Sequence, residues 1–175
     1  MRAMTGDRDA FSELAAHSLP RLVGTAGLIL GNIDAAEDVV QNSLVRAWRD
    51  LPSLRDPDRF DAWLYRVLVR ACADEARRTT RFARTESVLE PVAAGTDHAA
   101  LMAEGDAVAA GLRRLDIEHR TVLVLRYYLD MSHEQMAKAL GVPIGTVKSR
   151  ISRALPAMRA ALDASERAES TARPE

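Results

Sequence analysis

Met131 to Leu155 reads MSHEQMAKALGVPIGTVKSRISRAL, and the punctuation of this stretch decides the fold. Ser132, with Gln135 three residues later, is a capping box that opens a short helix, and Gly141 supplies the left-handed residue that closes it. Pro143 stands where a second helix begins. Ala137, four positions before the turn glycine, is small where two helices joined by a tight turn cross closely. In the second helix Ile144, Val147, Ile151, Ala154 and Leu155 share one face. The opposite side holds Gly145, Thr146, Ser149, Ser152 and Arg153, flanked by Lys148 and Arg150. That surface is short, polar and cationic, which suits a major groove with phosphates on either side. The pattern is a helix-turn-helix. Pro156 is expected to end or kink the reading helix near Leu155.

Working outward, periodicity is helical wherever it can be read, and no segment alternates as a half-buried strand would. Asp116 can cap a helix to about Leu129, and Ala103 to Arg114 has helical character. Toward the N-terminus, Arg8 to Leu30 carries Phe11, Leu14, Leu22 and Leu28 to Leu30, with a restart or kink expected at Pro20. Asp34 with Glu37 reads as a capping box, and Ala36, Val40, Leu44, Ala47, Trp48 and Leu51 recur at three- and four-residue spacing behind it. After a loop from Pro52 to Pro57, Phe60, Trp63, Leu64, Val67, Leu68 and Ala71 mark a third helix to about Thr79. The expected architecture is all-α: two small helical domains, residues 8–80 and 103–164, joined by a flexible acidic linker over 81–102. Residues 165–175 form a polar tail expected to be disordered.

Net charge is only -1 across 175 residues, but it is segregated. Arg66 to Arg84 holds six arginines against Asp74 and Glu75, a net +4, and Lys138 to Leu162 holds five cations and no acid. Between them Glu86 to Glu118 is acidic, at -5. Arg66, Arg70, Arg77, Arg81 and Arg84 fall on one side of a helix, a ladder able to follow a phosphate backbone. Phe60 and Trp63 lie on the apolar face of that helix and are expected in the core.

Other chemistries find little support. The single cysteine, Cys72, cannot make an internal disulfide, and the four histidines are scattered with no pair at metal-ligand spacing, so no metal is expected. There is no phosphate loop, dinucleotide fingerprint or nucleophile motif, so neither a cofactor nor a catalytic residue is expected and the chain is read as not an enzyme. No apolar run approaches the ~18 residues of a spanning helix. Membrane insertion is therefore not expected, and the cytoplasm is the expected location.

Three segments in order carry a resemblance: DAAEDVVQNSLVRAWR (Asp34 to Arg49), FDAWLYRVLVRACADEARR (Phe60 to Arg78) and LRRLDIEHRTVLVLRYYLDMSHEQMAKALGVPIGTVKSRISRAL (Leu112 to Leu155). They resemble regions 2 and 4 of the extracytoplasmic-function (ECF) sigma factors of bacterial RNA polymerase. The resemblance implies a non-enzymatic subunit that binds core RNA polymerase and directs it to promoter DNA for transcription initiation. An anti-sigma factor is a further partner of many members. The AED-x-x-Q helix would dock on the largest polymerase subunit, and Asp38, Gln41, Asn42 and Val45 are the residues its wheel turns outward or to the edge, with Val39 on the other shoulder. The W-L-Y-R helix would hold the -10 element, with Arg66, Arg70 and Arg77 along the strand. Arg70 stands where the family usually has Asn, which leaves base choice at -10 open. The second helix of the helix-turn-helix would read the -35 element through Thr146, Lys148, Ser149, Arg150, Ser152 and Arg153. Within that set the wheel centres Ser149 and Arg153, while the resemblance adds Lys148 and Ser152 to the base readers. The alternative reading is a free-standing helix-turn-helix regulator, in which the AED-x-x-Q helix and the arginine ladder would have no evident use.

Overall fold

Asp7 opens the first helix by accepting hydrogen bonds from the backbone amides of Asp9 and Ala10, each at 3.1 Å, and Gly31 ends it in the left-handed conformation at φ 71°. Between them α1 (Arg8–Leu30) runs without interruption. The computed structural model describes residues 2–85 and 107–171, and every regular element within them is helical. After α1 come α2 (Ile33–Asp50), α3 (Phe60–Thr85), α4 (Ala107–Arg113), α5 (Ile117–Leu123), α6 (His133–Leu140) and α7 (Ile144–Thr171). The linker expected over 81–102 falls partly in α3, which reaches Thr85; its remainder, residues 86–102, lies outside the described residues, as do 103–106 and the last four of the tail.

Several boundaries differ from the sequence reading, each for a local reason. Pro20 sits inside α1 and Pro156 inside α7, and neither ends its helix. Each proline removes one amide, freeing the carbonyls of Ala16 and Ser152, but all four residues are exposed and water can replace the lost donor. The cap of α2 is Asn32, whose side chain accepts from the Ala35 amide at 3.0 Å, rather than Asp34, which falls in the first turn. Since Gly31 has already closed α1, the next extended residue takes the capping role. The helix continues past Thr79 to Thr85 with little apolar patterning; at its start Thr79 and Thr80 bond back to the carbonyls of Glu75 and Ala76, and Arg78 pairs with Glu75 at 3.0 Å. After α5 the chain loosens into a π-helical turn, Val124–Tyr128, and Asp130 then takes a positive φ of 51° before α6.

α1, α2 and α3 enclose a core of Leu22, Ala26, Ile29, Val40, Leu64 and Leu68. The Phe11 and Trp48 rings meet at 5.1 Å, and Leu51 and Leu54 pin the connecting loop to the same core. Phe60 is buried as expected, while Trp63 is only partly buried. Cys72 behaves as a small apolar residue, its thiol pushed up to about 12 by burial. Leu125, Met136, Val147 and Ala154 form the corresponding core of α4 to α7. α4 lies against α7, where Arg114 Nη1 donates to the Ala161 carbonyl at 3.1 Å; a Cβ on Gly111 would stand 2.9 Å from Met158 Cε.

The two bundles meet where α6 lies against α3 and where α5 and the turn after it lie against α1, and one side chain that the sequence reading did not single out bonds across the second contact. Arg120 is buried on α5, with no carboxylate bonded to it. Its Nε donates to the Leu112 carbonyl at 2.8 Å, and Nη2 donates to those of Arg113 and Leu115 at 3.0 and 2.9 Å. Nη1 crosses to the N-terminal bundle and donates to the Ile29 carbonyl at 3.0 Å. Burial pushes its pKa down from the ordinary arginine value, and the repulsion of Arg113 adds to this. Arginine keeps its proton under such conditions, and four carbonyls replace the lost water. Arg120→Met keeps much of the apolar stem but removes a donor from each of these carbonyls, of which that of Leu112 still accepts from the Leu115 amide at 3.0 Å. It is expected to lower stability by about 3 kcal/mol or more, read by urea unfolding. Arg120→Lys should restore little of this, because a compact ammonium cannot reproduce the planar fork.

Candidate nucleic-acid interface

The helix-turn-helix is assembled from short-range bonds. The Ser132 amide donates to Gln135 Oε1 at 2.6 Å and the Gln135 amide to Ser132 Oγ at 3.2 Å, so the capping box is complete. Gly141 at φ 68° closes α6, and the Gly141 and Val142 amides both return to the Ala137 carbonyl. The Pro143 carbonyl then accepts from Thr146 and Val147, starting α7. Val147, Ile151 and Ala154 are buried beneath α7, but Ile144 and Leu155, expected on that face, are 39% and 45% exposed. The buried strip is narrower than the sequence wheel drew it, so α7 presents more of the side that carries Lys148.

On the outer surface Lys148, Ser152 and Arg153 are exposed, and Thr146 and Ser149 are half-buried. Arg153 folds back along the helix, its Nε 3.3 Å from the Ser149 carbonyl and its Nη2 3.4 Å from Ser149 Oγ. The Ser149 hydroxyl in turn donates to the Thr146 carbonyl at 3.0 Å. Arg150 leans the other way, into an ion pair of 2.8 Å with Glu118 at the start of α5. The sequence reading did not single out Glu118; an acid 32 residues away from a flanking arginine gives no local signal. Glu134, in the first turn of α6, is held below the usual carboxylate range. The main cause is a backbone amide, helped by the Ser132 hydroxyl, with smaller contributions from His133 and Lys148.

The arginine ladder on α3 divides into distinct environments. Arg66 is half-buried and faces a cleft between the bundles, whereas Arg70 and Arg77 are exposed. Arg77 lies 3.3 Å from Asp74 on its own helix. The side chain of Arg84 lies outside the described residues. On α2 Asp38, Gln41 and Asn42 are exposed and Val45 is 57% exposed, while Val39, expected on an outward shoulder, is buried. Asp38 and Asn42 line a groove of about 500 Å³ between α2 and α3, together with Asp34, Arg46, Asp74 and Arg78.

Two family models match the chain in order: Sigma-70 region 2 over residues 14–82 and Sigma-70 region 4 over residues 106–158. The ECF RNA polymerase sigma factor SigM of Mycobacterium tuberculosis is 34% identical over 151 residues, covering 86% of this chain and 76% of that protein. This chain belongs to the ECF sigma factors. SigW of Bacillus subtilis, another ECF sigma factor, is 29% identical over 171 residues, covering 88% of this chain and 89% of its own. Among solved structures, the sigma factor RpoE in complex with the anti-sigma factor NepR from Bartonella quintana is similar, with a TM-score of 0.70 and 25% identity over 88% of this chain and 97% of that one. CnrH in complex with the cytosolic domain of CnrY gives a TM-score of 0.65 and 31% identity over 93% of this chain and 94% of that one. The region 2 match in this sigma factor thus falls within α1 to α3, and the region 4 match runs from just before α4 into α7.

The Glu118 to Arg150 pair makes a measurable statement about α7. Glu118 is exposed and Arg150 half-buried, and a pair reached by solvent in this way is worth about 1 kcal/mol, little enough for a DNA phosphate to displace the carboxylate. Glu118→Gln is therefore expected to strengthen duplex binding about two- to fivefold at low salt, and the gain should vanish in an Arg150→Ala background. Arg150→Ala alone should lower the salt slope by about one unit. Anisotropy titrations of one labelled duplex at several salt concentrations read all three.

Proposed function

We infer that this sigma factor works as a dissociable promoter-specificity subunit, with α2 docking on core RNA polymerase, α3 holding the opened -10 element and α7 reading the -35 element. The observation that carries the reading is the ordered match of regions 2 and 4 to two bundles whose outer helices keep polar, cation-rich faces exposed. The contact set on α2 is Asp38, Gln41, Asn42 and Val45, all exposed; with Val39 buried, it is the match to region 2 that supports their docking on polymerase. Along α3, Arg66, Arg70 and Arg77 follow the sugar-phosphate chain, and Arg70 takes the place of the usual Asn. On α7, Ser149, Ser152, Lys148 and Arg153 face base edges, and Thr146 and Arg150 anchor the flanks.

Residues 8–80 and 103–164 are the working units of this proposal, joined through 81–102 and followed by a tail over 165–175. The chain supplies recognition and no active site, since nucleotide addition belongs to the polymerase. Both similar complexes hold an anti-sigma chain or a second protein's cytosolic domain, which supports an anti-sigma factor as a partner here. No helix among the described residues is long and apolar enough to cross a membrane, and the proposed site of action is the cytoplasm. The free-standing regulator is not favoured, because its N-terminal bundle would not need to match region 2.

Run-off transcription with purified core polymerase tests the reading: added protein should produce promoter-dependent transcripts that core alone does not. Asp38→Arg should weaken co-purification with polymerase while leaving -35 duplex binding unchanged. Unaltered co-purification would remove α2 as the docking helix. Arg153→Ala should relax preference at one -35 position by ~1 to 3 kcal/mol. An equal loss on every single-base variant would make Arg153 a phosphate anchor.

A further inference from the structure

Two residues of α7 weaken it as a helix, and nothing in its own bundle accounts for them. Pro156 is the least favourable residue type for a helix interior, yet α7 runs on through it from Ile144 to Thr171 and leaves its ring exposed. Gly145 is the next least favourable type. Its backbone does not call for glycine, since its φ is not positive, and a Cβ added to it would meet no atom within 4 Å. At 3.6 residues per turn Gly145, Ser149, Ser152 and Pro156 fall within about 60° of one another, on the side of α7 opposite the buried Val147, Ile151 and Ala154. No long side chain stands on this outermost line. Lys148 and Arg159 lie on one shoulder and Arg153 on the other, all three exposed. A helix edged in this way can bring its backbone, and not only its side chains, against the floor of a groove.

One backbone group on that line is free to act. In an α-helix the Ser152 carbonyl accepts from the amide of residue 156, and a proline there has no amide to give. The pyrrolidine ring also crowds this carbonyl, which turns outward on the side where Pro156 and Ser152 are both exposed. In the free chain water satisfies it. In a complex the water must be replaced by a donor. The side chains of α7 do not duplicate this group: from Ile144 to Leu162 there is no Asp, Glu, Asn or Gln, and the hydroxyls of Thr146, Ser149 and Ser152 can donate as well as accept. The Ser152 carbonyl is therefore an acceptor that cannot donate, on a face whose other polar groups are cations and hydroxyls.

We propose that the Ser152 carbonyl, left without an amide by Pro156, reads one base of the -35 element and selects an amino base, adenine or cytosine, over a keto base, guanine or thymine, on the strand it faces. This rests on the reading of α7 as the -35 helix. In the major groove adenine N6 and cytosine N4 are donors, whereas guanine O6 and thymine O4 are acceptors that would face the carbonyl unpaired. Docking removes the water from the carbonyl, so the keto base loses a hydrogen bond that the amino base replaces. Neighbouring side chains would leave a different record. A cation such as Arg153 favours guanine, and a hydroxyl tolerates either class. A requirement for an amino base at one position is thus the mark of this carbonyl. Pro156 is a positioning residue: it touches no base in this scheme and acts by withholding an amide.

The test uses the full chain and a pool of duplexes randomised across the -35 element, selected by wild type and by Pro156→Ala. The substitution returns an amide to the Ser152 carbonyl and improves the helix, so the variant should melt about 4 °C or more above wild type. Wild type is expected to favour amino over keto bases at one position by about fivefold. Pro156→Ala should lose that preference and keep the others. Pro20→Ala, the same change at an exposed position of α1, should select the same sequences as wild type. A second measurement takes the donor from the DNA instead: at the selected position adenine is replaced by purine, or cytosine by 2-pyrimidinone, each lacking only the amino group. This should weaken wild type about fivefold and Pro156→Ala hardly at all. A wild type indifferent to the analogue would overturn the proposal whatever the variant does. An amino preference that survives in Pro156→Ala, or a loss spread evenly over all sequences, would overturn it too, the latter because Pro156 would then act through the path of the helix. If wild type shows no preference at any position, the -35 reading of α7 fails and the proposal with it; preferences that Pro156→Ala shares in full leave that reading standing and remove only the carbonyl.

Discussion

Arg120 stands where burial of an arginine without an acid would ordinarily be unfavourable by several kcal/mol. It is tolerated because four carbonyls converge on one planar fork, and three of them come from the end of α4 and the turn after it. A seven-residue helix is too short to persist by itself and leaves its last carbonyls without partners. The Arg114 and Leu115 amides return to the carbonyls of Gly111 and Leu112, and the guanidinium adds donors to those of Leu112 and Arg113 from the next helix. The position of α4 then bears on α7, since Arg114 and Gly111 seat α4 against the helix proposed to read DNA. The fourth bond, to Ile29, places a cation at the C-terminal end of α1, where the helix dipole also favours positive charge. One side chain thereby finishes a helix, orients the reading unit and touches the other bundle.

What the sequence made legible was local. The Ser132 and Gln135 box, the Asp116 cap and the Gly141 turn are each settled within four residues, and the structure has all three. Pro20 and Pro156 do not end their helices, because the effect of a proline depends on whether water can reach the carbonyl it frees, a property of the packed surface. Asn32 was overlooked in favour of Asp34 because the competition between two good caps is decided by where α1 stops.

The surfaces were less legible than the helices. Wheel arithmetic treats a helix as having one neighbour, yet α7 is packed by α4, α5 and α6 along different parts of its length. Ile144 and Leu155 end up exposed because their neighbours do not extend over them, and Val39 is buried because α3 closes against α2 beside it. Arg120 gave no local signal, since Glu118 and His119 precede it and Thr121 follows. Its burial is decided by which carbonyls it can satisfy, and the one on Ile29 lies 91 residues away.

Electrostatics explains how a chain with a net charge of -1 can offer polyanion-binding faces. Arg77 with Asp74, Arg78 with Glu75 and Arg150 with Glu118 pair cations of the two basic segments with nearby acids. In the unbound chain these acids limit repulsion among the arginines. Each pair is reached by solvent and contributes only about 1 kcal/mol, so a phosphate arriving with the same charge and better geometry can replace the carboxylate at small net cost. The acids therefore moderate affinity without abolishing it, and salt acts on both sides of the exchange. Arg120 differs in kind: its acceptors are buried and neutral, and no phosphate can compete for it. The division between exchangeable exposed arginines and one committed buried arginine separates the residues available to DNA from the residue that holds the fold.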